Sequence, residues 1–216
     1  IGAVPLVLTV VIARGVYEGG ETALAWAMGA YGAGSMAAAL SLPRILDRTG
    51  DRAVMLLAGG AGGVLLGAAG LGIVVGGWPG WGLMLALWAG LGLCSAAILT
   101  PSGRLLRRSA HQEDRRAVFT GQFALSHACW LVAYPVSGLF GTAAGAATAM
   151  ALFGAAALAC TAVAARLWPW GTTDAIPHRH PDLSPDHPHL RAHGAGRGHA
   201  HVYVIDDHHP HWPATS

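Results

Sequence analysis

Lysine is missing altogether, so all 13 basic residues are arginine. Charged residues of every kind make up only 11%, against about 25% in an ordinary soluble domain, which excludes a conventional solvated surface over most of the chain. The net charge of +2 is too small to point to a nucleic-acid partner. Cysteine is scarce, and Cys94, Cys129 and Cys160 are odd in number and widely spaced, which excludes a disulfide framework or a zinc pattern. They read as small packing residues. A nucleophile elbow, a phosphate-cradling loop and an HExxH helix are also missing, so an enzyme is not expected. The chain starts with Ile1 inside an apolar run and is read as a fragment whose beginning is missing.

What is present is apolar length. Hydrophobic residues make up 53%, with 31 glycines and a mean hydropathy of +0.46. A helix needs about 20 apolar residues to cross a bilayer. Ile1 to Ala13 gives a truncated first span; Ala23–Leu42, Ala53–Val75, Trp81–Leu99, Ala117–Phe140 and Ala143–Leu167 give five more. The runs lack alternation and exceed strand length, so strands are not expected in them. The expected fold is all-α: a polytopic membrane protein of six transmembrane helices over 1–169, followed by a His/Pro-rich tail over 170–216.

Arginine distribution sets the expected orientation. The loops over 42–53 and 102–116 hold Arg44, Arg48, Arg52, Arg104, Arg107, Arg108, Arg115 and Arg116, whereas the opposite loops hold only Arg14. The positive-inside bias puts the arginine-rich loops and the tail in the cytoplasm, in the inner or plasma membrane. Trp78 and Trp81 would mark the outer boundary, and Trp168 and Trp170 the inner one. Gly59, Gly63, Gly67 and Gly70 form a ladder of small residues that suits close helix packing. Pro135 in the fifth span removes a backbone donor and is a candidate kink.

Between the second and third spans stands Leu42-Pro-Arg-Ile-Leu-Asp-Arg-Thr-Gly-Asp-Arg52, read as a tight charged turn. It resembles the Gly-x-Leu-x-Asp-Arg-x-Gly-Arg-Arg signature of major facilitator superfamily transporters. Asp47, Arg48, Gly50 and Arg52 match; Pro43 and Asp51 depart, and Ile45 is a mild change. A degraded copy of this kind is similar to the second half of such transporters, so the chain resembles their C-terminal six-helix half. The resemblance implies a secondary transporter with a gating loop at Asp47, Arg48, Gly50 and Arg52, a missing N-terminal half as partner, and a small-molecule or ionic substrate. The alternative for the turn is a solvated loop that merely obeys the topology rule.

The fifth span is the most polar, with Gln122, Ser126, His127, Cys129 and Tyr134. Ionisable groups in a membrane are functional candidates. Gln122, Ser126, His127 and Tyr134 are therefore candidate cavity residues, with His127 either ligating a cation, moving a proton or bonding across a helix pair. No carboxylate falls in any span.

The tail holds ten of the twelve histidines: His178, His180, His187, His189, His193, His199, His201, His208, His209 and His211. Three His-x-His pairs recur, and Asp206 and Asp207 add carboxylates. Imidazole suits Zn, Cu, Ni and Co, with no thiolate present to select soft Cu(I), so all ten are candidate ligands. Proline density argues for a disordered arm without a defined four-ligand site, with a short ordered piece over Val202–Ile205. Within the facilitator family, nickel- and cobalt-resistance exporters carry histidine-rich C-terminal tails, and the chain resembles that branch in tail composition and span layout. The resemblance implies a proton-coupled exporter, possible cargoes being divalent metal (Ni, Co or Zn); drug or metabolite efflux with an incidental tail, and a membrane-anchored metal buffer or sensor, stand as alternatives. No organic cofactor is expected.

Overall fold

The computed structural model describes residues 1–168, 175–180, 183–184, 186–193 and 198–212, the side chain of His193 excepted. Seven helices and two strands follow in the order α1 (Ala3–Gly15), α2 (Gly20–Thr49), α3 (Asp51–Gly76), α4 (Trp81–Arg108), α5 (Arg115–Ala143), α6 (Ala146–Leu167), β1 (Ala175–Arg179), α7 (Pro188–His193) and β2 (Gly198–Val202). Helices α2 to α6 are each long and apolar enough to cross a membrane, and α1 is a shorter apolar helix. The chain is thus an all-α membrane protein over these elements, as expected. Two compact units emerge. One comprises Ile1–Ser102 with Phe123–Trp168, and the other Gly103–Gln122 with Pro169–Ser216. The division places the segment around the α4–α5 connection with the tail, not with the remaining helices.

Within the helical unit, Val4, Leu8 and Ile12 repeat at helical spacing along α1 and are fully buried with Leu66, Trp88 and Met150. A second cluster joins Ala38, Leu42 and Leu46 of α2 to Val54 and Ala58 of α3 and Ala97 of α4. The glycine ladder of α3 faces α6: Gly67 lies against Gly154, Gly63 against Leu158 and Gly59 against Thr161, while a methyl at Gly70 would run into the Ala151 backbone. In a bilayer, where helix association relies on packing and not on burial from water, this closeness is the source of the contact. A polar chain crosses the same interior. Trp88 Nε1–H donates to Thr9 Oγ1 at 2.7 Å, and the Thr9 hydroxyl donates to the Pro5 carbonyl.

Trp78 and Trp81, expected at one boundary, both pack against Tyr17. Tyr17 packs edge-on against Trp81 with ring centres 4.8 Å apart, and its hydroxyl donates to the Pro79 carbonyl at 2.7 Å. The α1–α2 and α3–α4 connections therefore lie at the same end of the helical unit. Trp170 lies outside the described residues.

Three expectations are corrected. The stretch Leu42–Arg52 is not an open loop, because α2 continues through Pro43 to Thr49 and α3 starts at Asp51. Leu42 and Leu46, four residues apart, are buried and hold this extension on the core, while Arg44 and Arg48 stay exposed. Only Gly50 breaks the helix, at a φ of 75° that a residue with a Cβ rarely adopts. The expected loop 102–116 likewise shrinks to 109–114 between α4 and α5. Finally, the tail is not a disordered arm over its described residues. β1 and β2 pair antiparallel, with His178 opposite His199 and Ile176 opposite His201. The His-x-His repeat has the period of a strand, so alternate rings share one face, and the pairing closes that face over α7.

Candidate metal centre

The tail unit is built round imidazole. Period two puts Ile176 and His178 on the inner side of β1, and His199 and His201 on the inner side of β2. His180 follows β1 directly and is buried; α7 brings in His189, and the Asp206–His209 bridge brings in His209. One ring nitrogen from each of His178, His180, His189, His201 and His209 lies within 4.8 Å of all the others. Five of the ten predicted ligands thus converge. His199 stands beside them, its Nε2 3.1 Å from that of His189. His187 and His208 form an edge-on pair with ring centres 4.9 Å apart. His211 contributes its carbonyl, which accepts from the Tyr203 hydroxyl at 2.8 Å. The side chain of His193 lies outside the described residues.

The second ring nitrogens are anchored. His178 Nδ1–H donates to the Ile176 carbonyl at 2.7 Å, and His201 Nδ1–H to the Val202 carbonyl at 2.8 Å. His209 Nδ1–H donates to Asp206 Oδ1 at 2.7 Å. Such partners fix the tautomer and leave the lone pair on Nε2. Asp206 Oδ1 also accepts the backbone N–H groups of His208 and His209 at 2.9 Å each.

Burial, followed by the mutual repulsion of neighbouring rings if charged, pushes His180 and His189 from 6.5 down to about 4. Burial also lowers His209, against the opposing pull of Asp206. Burial alone would raise the Asp206 carboxyl, but the His209 ring and the two backbone N–H groups outweigh it and hold the group below its ordinary value. At neutral pH His180, His189 and His209 are therefore uncharged imidazoles beside one carboxylate. That is the protonation state a borderline divalent ion needs.

At the charged end of the helical unit, Arg52 reaches past Gly50 to the last turn of α6. Its Nη2 donates to Trp168 O at 2.9 Å and Ala165 O at 3.2 Å, and its Nε to Trp168 O at 3.1 Å. A guanidinium on the free carbonyls of a helix C-terminus satisfies both their hydrogen-bonding need and the helix dipole. Asp51, at the first position of α3, is fully buried, where the opposite end of a helix dipole favours a carboxylate. Asp47 and Arg48 stay exposed on the last turn of α2. Arg52 is therefore a member of the expected gating set that ties two helices together.

Six apolar helices, the Asp-Arg turn and the helix-capping arginine are accompanied by a direct finding. A family model described as Major Facilitator Superfamily matches residues 3–199. The chain belongs to the major facilitator superfamily. No curated protein and no solved structure matches it.

The facilitator's fifth helix, α5, is its least buried long helix, with Ser137 its only buried residue among those described. His127 sits in an aromatic row on that helix, 3.8 Å from the Phe123 ring centre and 5.2 Å from that of Trp130, which in turn stacks on Tyr134. His127 Nδ1–H donates to the Phe123 carbonyl at 2.8 Å, and the Ser126 hydroxyl donates to the same carbonyl at 2.9 Å. Both polar groups are thus spent, in part, on their own helix. A cavity of about 580 Å³ within the helical unit is lined by Tyr31, Ser95, Cys129, Trp130, Cys160 and Thr161 among apolar neighbours. Gln122, Ser126, His127 and Tyr134 are not among its lining residues. Sequence reasoning passed over Tyr31, Ser95 and Thr161 because each is a single polar residue in an apolar run, with no spacing to mark it. It also gave Asp206 no specific role, although its position three residues before His209 was visible.

Proposed function

We propose that this facilitator is a proton-coupled exporter of divalent metal ions of the Ni, Co or Zn type, in which these helices form the C-terminal half. The two halves rock around a midplane site, and the tail, on the cytoplasmic side, captures the cargo ion and raises its concentration near the inward-open cavity. The observation that carries the metal reading is the convergence of five histidine rings, together with the Asp206 carboxylate that orients one of them. The arginine-rich end of the helices supports the orientation. Removal of residues 171–216 from the expressed transporter tests it. The expected result is reduced tolerance of cells to nickel, cobalt or zinc, with a pH-gradient-dependent metal flux in proteoliposomes of the intact protein. Unchanged tolerance to all three metals would remove the metal reading.

A second reading is export of an organic solute. The cavity near Trp130 and Tyr31 has no histidine or carboxylate in its lining, which suits an apolar molecule with one or two hydrogen-bonding groups. Drug tolerance that depends on the helices but not on the tail would favour it.

A further inference from the structure

The tail has too little apolar material to explain its own order. Its buried hydrophobic residues among those described are Leu190, Tyr203 and Ile205. Its sheet has two strands of five residues each, and α7 has six residues. A two-stranded sheet of this size is marginal in water, and the tail contains no cysteine to staple it. Histidine rings occupy the place where a core would be.

Those rings are arranged in a way that uncharged imidazoles alone do not favour. The Nδ1–H of His178 is spent on the Ile176 carbonyl and that of His209 on the Asp206 carboxylate. Carbonyl and carboxylate oxygens only accept, so each neutral ring carries its proton on Nδ1 and presents a lone pair at Nε2. These two Nε2 atoms face each other at 3.0 Å. Two acceptors at that separation repel unless a cation lies between them. His201 is held in the same tautomer by the Val202 carbonyl, and His180 Nε2 is buried without a hydrogen-bond partner among the described residues. One proton would bridge one pair of rings, whereas one metal ion serves all five. The 3.0 Å separation is also the edge expected between two ligands at right angles, each about 2.1 Å from a metal.

The cluster is linked to the helices' connecting segment by a short path. Asp206, which orients His209, follows Ile205, whose N–H donates to the Arg108 carbonyl at 2.8 Å. Arg108 is the last residue of α4, and its carbonyl is one of those a helix end leaves without an internal partner.

We infer that the Nε2 atoms of His178, His180, His189, His201 and His209 form one structural centre for a borderline divalent metal ion, and that the ion folds the tail and seats Ile205 on the end of α4. Without the ion, the two-stranded sheet opens and the Arg108 carbonyl returns to solvent. The composition of the tail, which argues for disorder, and its observed order then describe its empty and loaded states. The inference rests on the metal-binding part of the proposed function and not on transport.

The test uses the full chain in detergent, stripped with a chelator and then titrated with nickel, cobalt or zinc sulfate. Bound metal is counted by equilibrium dialysis, and hydrogen exchange is followed at the Ile205 amide. Binding of one ion per chain is expected, with Ile205 protection rising about 100-fold when free metal reaches a hundred times its Kd. The double variant His178→Ala, His209→Ala should lose both effects. One ion bound with protection unchanged would overturn the inference and leave the metal-binding reading standing. Full protection in the stripped chain would also overturn it. Failure of the wild-type chain to bind any of the three metals would remove both.

Discussion

Asp206 offers a graded test of the proposed centre without touching any of its five proposed ligands. Its Oδ1 accepts three bonds: from His209 Nδ1 at 2.7 Å and from the His208 and His209 backbone at 2.9 Å each. Asp206→Asn keeps an acceptor oxygen of the same size but removes the charge that raises the basicity of His209. Asp206→Ala removes the acceptor as well, so the His209 proton is free to move to Nε2 and withdraw that ligand atom. Loss of an outer partner of this kind costs about 10–100-fold in metal affinity, with about 1.4 kcal/mol per factor of ten. Asn is therefore expected near the lower figure and Ala near the upper one. Asp207→Asn serves as the charge control, since it removes the same charge one residue away. Isothermal titration with nickel or zinc on the full chain reads the three variants side by side. Equal affinity in wild type, Asp206→Asn and Asp206→Ala would refute the claim that the carboxylate fixes the ring. Equal losses in Asp206→Asn and Asp207→Asn would show that net charge, and not the hydrogen bond, sets the affinity.

The pH dependence follows from the lowered His180 and His189 values. Both rings titrate near 6.5 when the chain is unfolded and near 4 when it is folded, so the unfolded tail binds more protons between those limits. In the metal-loaded chain, tail order should be fully present above pH 6.5 and erode as pH falls towards 4; Ile205 amide protection that stayed constant down to pH 4.5 would contradict this. Arg52→Ala removes three charge-assisted bonds to the end of α6 and should lower stability in detergent by about 1–2 kcal/mol, read as a lower thermal midpoint. Arg52→Lys should fall between, because an ammonium cannot reproduce the fork. Gly154→Leu forces a side chain into the backbone of Gly67 and should cost about 1–3 kcal/mol, whereas Gly72→Leu, at a position with open space beside it, should be nearly neutral in the same melt.

Much of the membrane architecture was legible in the linear chain. Apolar runs of bilayer length can satisfy their backbone only as helices, so their existence and approximate bounds follow from composition. The family could be read from Asp47, Arg48, Gly50 and Arg52, because a glycine hinge flanked by charge is a local pattern. The helical path through Pro43 was not legible, since proline usually ends a helix and only the packing of Leu42 and Leu46 on the core overrides it. The role of Arg52 was hidden for a similar reason: its acceptors lie 113 and 116 residues away.

In the tail, the sequence alone determined that the candidate ligands are imidazoles; the strands that put alternate rings on one face came only with the structure. Tertiary structure decided which five converge, since His178 and His209 are 31 residues apart and meet only after β1 and β2 pair in register. It also decided that a carboxylate stands behind His209 and that Ile205 meets the end of α4. Local chemistry is written in residue type and period. Convergence depends on contacts between distant segments, and no local pattern encodes them.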